Sequence, residues 1–290
     1  MASEKIQPKV FIIILNYNGG ERLRNCLASV FGITYPNFSV VVVDNASTDD
    51  SFRQVQKNFP DAIAIANRQN LGFAGGNNVG ITCAMARQAD YILLLNQDTE
   101  VESDFLEKLI ETAENNPKIG IISPLIFWKK TKQVWFSGGK IKWLTMKAIN
   151  ENEMRSGKYY ASGFITGCSM LIKRTVVEKI GPLDDNFFLY YEDADFSCRV
   201  RRAGFLTVVE PSSHIYHFET SGPAVGDKLY HLVFSGLRFF EKNSSVGVKI
   251  WISFYYALRK LKNRMDMTLR PNDNARVVQK AYYDFAKRKQ

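Results

Sequence analysis

The chain has 290 residues, 46% hydrophobic and 23% charged, which suits an ordinary globular protein with one large core or two modest ones and excludes a disordered or fibrous chain. Its net charge of +9 is concentrated: residues 228–290 carry 14 Lys+Arg against 4 Asp+Glu, the remainder 24 against 25, so the basic character belongs to the C-terminal segment, where nucleic acid or an anionic membrane surface would explain it, the competing reading being a solvated lysine-rich helical face. No apolar run approaches the roughly 18 residues of a membrane-crossing helix, MASEKIQPKV has no apolar signal core, and Cys26, Cys83, Cys168 and Cys198 form no CxxC pair, which argues for a reduced cytoplasmic protein without a zinc site or disulfide scaffold.

Residues 10–15 (VFIIIL) are a continuous apolar, β-branched run, the pattern of a strand buried on both faces. Residues 38–43 (FSVVVV) repeat it, 62–66 give a weaker version and 91–95 a strong one. Between them Leu23, Leu27, Val30 and Phe31 recur at helical spacing, as do Val79, Ala84 and Met85; residues 104–115 read as a further helix ended by Asn116-Pro117. Alternating strands and helices predict a parallel sheet with right-handed crossovers, with ligands beyond the carboxyl ends of its strands. Beyond Phe127 the regularity breaks. Residues 129–132 read as an exposed turn and 140–160 as a polar, mobile loop. Residues 168–172 resume as a strand, 194–203 as a helix stopped by Gly204, and 206–209 as a strand. From Asp227 the pattern is helical, and over 246–262 Ile250, Trp251, Phe254, Tyr255 and Leu258 form an apolar stripe flanked by Lys249, Arg259, Lys260 and Lys262.

Three predicted strands end in polar residues: Asn16-Tyr17-Asn18, Asp44-Asn45 with Ser47, Thr48 and Asp49, and Asn96-Gln97-Asp98. A dinucleotide fold would need GxGxxG after the first strand, and LNYNGGERL lacks it. The glycines of LGFAGGNNVG follow the third strand instead, where they permit close backbone approach to a ligand. In extended backbone Asn96 and Asp98 face one side, and a carboxylate, an amide and substrate phosphate oxygens suit Mg2+ or Mn2+; the competing reading is that Asp98 caps the next helix. Asp44 is placed to accept the N3 hydrogen of uracil or thymine, and Tyr17 to stack on that ring or to be a half-buried loop aromatic. In 187–204, helix capping accounts for one acidic residue of Glu192, Asp193 and Asp195. A surplus carboxylate beside an apolar wall is a candidate general base.

The ordered set LNYN, VVDNASTDDS, NLGFAGGNN, LLLNQDTEV, TGCSMLIKR, GPLDDNFFLYYEDADFSCRVRRAGF and IYHFETSG resembles the family 2 inverting glycosyltransferases, and among them the bacterial rhamnosyltransferase-like group, over roughly residues 8–240. The resemblance implies an α/β GT-A fold, a Rossmann-like mixed sheet flanked by helices, with a catalytic domain over 1–226 and a basic helical extension over 227–290. It implies Asp193 as catalytic base; Tyr17, Asn18, Asp44, Asn45, Gly72, Asn78, Asn96, Gln97 and Asp98 for the nucleotide-sugar; and Asp98 with His217 for Mg2+ or Mn2+, Asn96 standing in place of the first aspartate of a DxD element. His214 would point elsewhere, and His231 has no matching role. The implied partners are a dTDP- or UDP-sugar donor and a glycan or polyprenyl-diphosphate-linked acceptor, not nucleic acid. The basic helices would then serve peripheral contact with the inner face of the cell membrane or a homo-oligomer. A nucleotidyltransferase would show a basic glycine-rich loop after the first strand. An inactive sugar-nucleotide or glycan-binding module would have little reason to keep Asp44, Asp98 and Asp193 together.

Overall fold

The structure is a computed structural model that describes residues 7–218, 224–269 and 272–288. The first six residues of the N-terminal segment and the last four of the IYHFETSG run lie outside the described residues. Strand β1 (Val10–Asn16) leads to α1 (Gly20–Val30), β2 (Phe38–Asp44), α2 (Ser51–Asn58), β3 (Ile63–Ala66), α3 (Gly72–Ala86), β4 (Tyr91–Asn96), β5 (Thr99–Val101) and α4 (Phe105–Asn115). There follow β6 (Ile119–Trp128), β7 (Val134–Phe136), β8 (Gly139–Lys142), β9 (Lys147–Asn150), β10 (Tyr160–Ala161), β11 (Ser169–Lys173), α5 (Arg174–Ile180), α6 (Glu192–Arg202) and β12 (Leu206–His217). Three helices close the chain: α7 (Gly226–Asn243), α8 (Val246–Leu269) and α9 (Asp273–Lys287).

The apolar runs become the centre of one mixed sheet, in the order β10-β12-β6-β11-β4-β1-β2-β3. Ile12, Ile13, Val41, Val42, Leu93 and Leu94 have no exposed surface, because helices cover both faces. Strand β1 runs parallel to β2 and β4, whereas β11 is antiparallel to β4 and β6, so the sheet is not wholly parallel. The strand order reverses at β1, and in register Asn16 lies opposite Asp44 while Leu15 lies opposite Asn96. The three polar strand ends are therefore level, at a crevice of the kind such a reversal opens. Helix α3 presses close on β1: a Cβ on Gly80 would stand 2.4 Å from a methyl of Ile13.

Strand β12 is far longer than the four residues its apolar run suggests. Its first half pairs with β6; then residues 211–213 bulge out, with Pro211 in the bulge, where a missing N–H costs no ladder bond. The second half continues along β6 and also takes β5 on its other side.

Residues 140–150, expected as part of a mobile loop, belong instead to the hairpin β8–β9. It is anchored by Trp143, stacked on Phe239 at 5.8 Å and edge-on to Phe240. Polar strands with one exposed face gave no apolar run to announce them. Phe239 and Phe240 of α7 are wholly buried in the core that also holds the sheet. Helix α8 buries only Ile252 and Asn263.

Candidate active site

At the carboxyl end of β4, Gln97 clasps the end of β1: its Oε1 accepts from the Tyr17 N–H (3.0 Å) and its Nε2 donates to the Tyr17 carbonyl (3.1 Å). Asp98 follows immediately. Helix α4 begins beyond Asp104, so Asp98 caps no helix. Its neighbour comes from 119 residues away through the β5–β12 pairing, which sets His217 opposite Thr99 and lets the Phe218 N–H donate to the Asp98 carbonyl at 2.9 Å. Nε2 of His217 then lies 3.3 Å from Oδ1 of Asp98. Burial raises the Asp98 carboxyl, but His217 outweighs it and holds the group below the usual aspartate range. Trp135 lies over the imidazole at 4.5 Å.

The opposite wall is the segment before α6. Asn78 grips Leu183 from both sides, donating to its carbonyl (2.9 Å) and accepting its N–H (3.0 Å). The Phe73 N–H donates to the Phe188 carbonyl at 2.6 Å. Gly72, at φ +73°, makes this contact feasible, since a Cβ there would stand 2.3 Å from that carbonyl oxygen. The close approach the structure shows at this glycine is to the Phe188 carbonyl. Tyr190 and Tyr191 are both left-handed, at φ 68°, a strained pair that turns the chain sharply into α6.

That turn delivers Asp193. Its Oδ2 accepts from the Gly167 N–H (3.1 Å) and its Oδ1 from the Ala194 N–H (2.7 Å). Burial raises the carboxyl, and these donors oppose the rise without cancelling it. Glu192 is more deeply buried, its Oε2 has no partner among the described residues, and burial together with the charge of Asp193 pushes it well above the usual range. Asp195 is wholly buried but satisfied, by Arg199 (3.0 Å), Lys242 (2.8 Å) and Asn243 (2.8 Å), and it ties α6 to α7.

Asn96, Gln97, Asp98, His217, Glu192 and Asp193 line one cleft of about 450 Å³, with Trp135 and Asn150 from the β7–β9 region. The other expected nucleotide-sugar residues do not line it. Asp44 is buried, its carboxylate accepting from Asn16 Nδ2 (2.7 Å) and the Ser47 N–H (3.1 Å). Asn18 accepts from the Thr48 N–H (2.8 Å), and Tyr17 is 47% exposed beside Gln97. Asn45 uses its whole side-chain capacity on Asn67, Asn70, Leu71 and Gly72, so it braces the loop entering α3. His214 contacts Glu102 (3.4 Å) and the Pro211 carbonyl (2.9 Å), away from the cleft, as expected. His231 stacks on Phe188 at 4.7 Å.

Sequence reasoning missed Asn16 as the hub of the β1–β2 end. It is wholly buried, and its Nδ2 reaches Asp44, Ser47 Oγ (3.1 Å) and Ser51 Oγ (2.8 Å). An amide at the last position of an apolar strand was the available signal. Trp135 and Asn150 gave none, because short strands of mixed polarity carry them.

A divalent ion fits the pair Asp98 and His217. The cleft offers one carboxylate and one imidazole side by side, and neither ring nitrogen of buried His217 has a well-aligned hydrogen-bond partner among the described residues. No cluster of three or more metal-ligating side chains occurs among the described residues. An ion here would complete its shell with diphosphate oxygens and water.

Residues 11–181 match the profile of Glycosyl transferase family 2. The chain is 26% identical over 234 residues to the N-acetylglucosaminyl-diphospho-decaprenol L-rhamnosyltransferase of Mycobacterium tuberculosis, covering 71% of this chain and 75% of that protein. It is 24% identical over 220 residues to the dTDP-rhamnosyl transferase RfbF of Shigella flexneri, covering 76% of this chain and 70% of that one. Its fold matches the crystal structure of GalNAc-T7 with UDP, GalNAc and Mn2+ at a TM-score of 0.70 and 16% identity, over 98% of this chain and 55% of that one, a likeness of fold alone. The level strand ends, the mixed sheet and a family profile spanning more than half the chain lead to one assignment: this chain belongs to Glycosyl transferase family 2 and is a glycosyltransferase.

Proposed function

We propose that the protein transfers L-rhamnose from dTDP-L-rhamnose to a hydroxyl of a glycan or polyprenyl-diphosphate-linked acceptor, with inversion at the anomeric carbon, in the cytoplasm at the inner face of the cell membrane. The observation that carries this reading is the placement of Asp193 in the same cleft as Asp98 and His217. The names of the two rhamnosyltransferase relatives support the choice of sugar.

In this reading Asp193 takes the proton of the acceptor hydroxyl, and the oxygen attacks the anomeric carbon as the bond to the diphosphate breaks. This is one displacement through an oxocarbenium-like transition state. A carboxylate held above its usual pKa is a better base than a free aspartate, while the Gly167 and Ala194 N–H groups fix its direction. Asp98 and His217 would hold a divalent ion, which when bound neutralises charge on the departing diphosphate. Gln97 keeps the ends of β1 and β4 together, and Tyr17 and Asp44, at the neighbouring strand ends outside the cleft, are assigned to the nucleotide base.

Binding of dTDP, UDP, GDP and CDP, each with and without Mn2+, is read as a thermal shift, since a ligand that binds only the folded form raises its apparent stability. A Mn2+-dependent shift with dTDP, lost in Asp98→Asn, followed by turnover of dTDP-L-rhamnose, is the expected result. Preference for UDP would keep the mechanism and change the donor. Absence of any shift would overturn the reading.

A further inference from the structure

Helix α8 runs for 24 residues, about 36 Å. Its inward side is thin. Its outward side carries Ile250, Phe254, Leu258, Leu261, Met265 and Leu269, each between 47% and 72% exposed. Their spacing of four, four, three, four and four residues puts all six on one side of the helix. A contiguous exposed apolar row of this kind marks an interaction surface.

Charge decides what covers it. The helix carries five cations against one acid. At 100° per residue, Lys260 and Arg264 fall along one edge of the row; on the other, Lys262 is paired with Asp266 (2.6 Å), and Arg259 turns inward to the cavity lined by Tyr191, Tyr256 and Tyr282. Two copies packed antiparallel through this row would set Lys260 and Arg264 against their own counterparts, and packed parallel they would meet no surplus of acid, whereas helix pairs use complementary flanks. An anionic lipid surface meets both requirements, taking the apolar row into its acyl boundary and the cations against its headgroups. Among the described residues no helix is long and apolar enough to cross a membrane, so this one would lie in the interface.

The patch continues onto the hairpin. Trp251 Nε1 donates to the Leu144 carbonyl at 2.9 Å, and Leu144, at the tip of β8–β9, is 61% exposed. From that tip β9 leads directly to Asn150 in the catalytic cleft.

We propose that α8, with Leu144 beside it, is an in-plane anchor that seats the protein on an anionic membrane and aims the mouth of the cleft along the lipid surface. Only its purpose, presenting a lipid-linked acceptor, rests on the function proposed above. The binding itself does not.

The test is flotation of the full-length chain with vesicles of phosphatidylcholine alone and of phosphatidylcholine mixed with phosphatidylglycerol, at low and high salt, with the mass in solution measured on the same preparation. The native protein is expected to float with the anionic vesicles, less so at high salt. Ile250→Ser/Phe254→Ser/Leu261→Ser, all at exposed positions, is expected to lower binding by on the order of tenfold or more. Lys260→Glu/Lys262→Glu is expected to lower it at low salt only. Failure of the native protein to float with either vesicle would overturn the proposal. So would a dimer that the triple serine variant turns into a monomer. Nucleotide thermal shifts on the same variants keep the two readings apart: lost flotation with intact dTDP binding concerns the anchor alone, and lost dTDP binding in the native protein concerns the donor site alone.

Discussion

Glu192 and Asp193 are adjacent, yet one has an unpartnered oxygen and the other two backbone donors, and both are held above the usual carboxyl range. The folded state therefore binds their protons more tightly than the unfolded chain. The stability this adds is complete below the ordinary values of 4.5 and 3.8 and is lost as pH rises through the folded values. Glu192→Gln is accordingly expected to raise the thermal midpoint at neutral pH and to leave it unchanged in acid. A lower midpoint at neutral pH would mean that Glu192 is ionised and paired. Asp193 has to be ionised to act, so transfer should rise with pH through an apparent value above 3.8. Asp193→Asn should lower kcat by on the order of a thousandfold while leaving nucleotide thermal shifts intact. Asp195 is a different case, because its charge is answered by Arg199 and Lys242, which are themselves partly open to water. Asp195→Ala is expected to cost roughly 2–3 kcal/mol in denaturant unfolding, below the range for a pair buried on both sides.

Among the elements, β1, β2 and β4 were readable because a strand covered on both faces must be apolar without interruption, and their polar ends stood out for that reason. A helix following Asp193 was readable from its acidic start and Gly204, although it begins two residues earlier, at Glu192. The short strands were not: β5 and β7 have three residues each and β10 two, too few for any period to appear. Their places are set by partners distant in sequence, as Thr99 is by His217. Family resemblance named His217 together with Asp98, and the strand pairing that brings the two side chains to 3.3 Å was not legible. Gly72 was noticed as a place of close approach, although what approaches it is the Phe188 carbonyl. Gly72→Ala is expected to destabilise the protein by about 1–3 kcal/mol and to depress transfer more than nucleotide binding, since it displaces the wall bearing Asp193 rather than the Asp98 side. Equal loss of both in thermal shift and turnover would contradict this.

At the scale of the molecule, the C-terminal helices are joined to the catalytic part in two ways. Phe239 and Phe240 belong to the main core, and Lys242 and Asn243 hold Asp195. A chain ended at residue 226 would lose the packing of Trp143 and leave Asp195 with Arg199 alone. Calorimetry of the full chain is expected to show one cooperative transition through α7, and the shortened chain to unfold at markedly lower temperature or not to fold. Independent melting of the two parts would show that the shared core is energetically minor.

The bulge at residues 211–213 has a consequence for how this protein tolerates change. It separates two ladders along β12, one holding the middle of the sheet and the other fixing His217 against Asp98. Only the three residues between them stand outside both ladders, where Ser212 bonds to Glu210 and Ser213 to the Phe105 carbonyl. One residue inserted after Ser212 should be absorbed there, leaving the metal-dependent nucleotide shift intact. The same insertion after Ile215 would turn the strand over and present Tyr216 where His217 now stands. Within one strand, then, chain length is free to drift at one point and fixed at another three residues away.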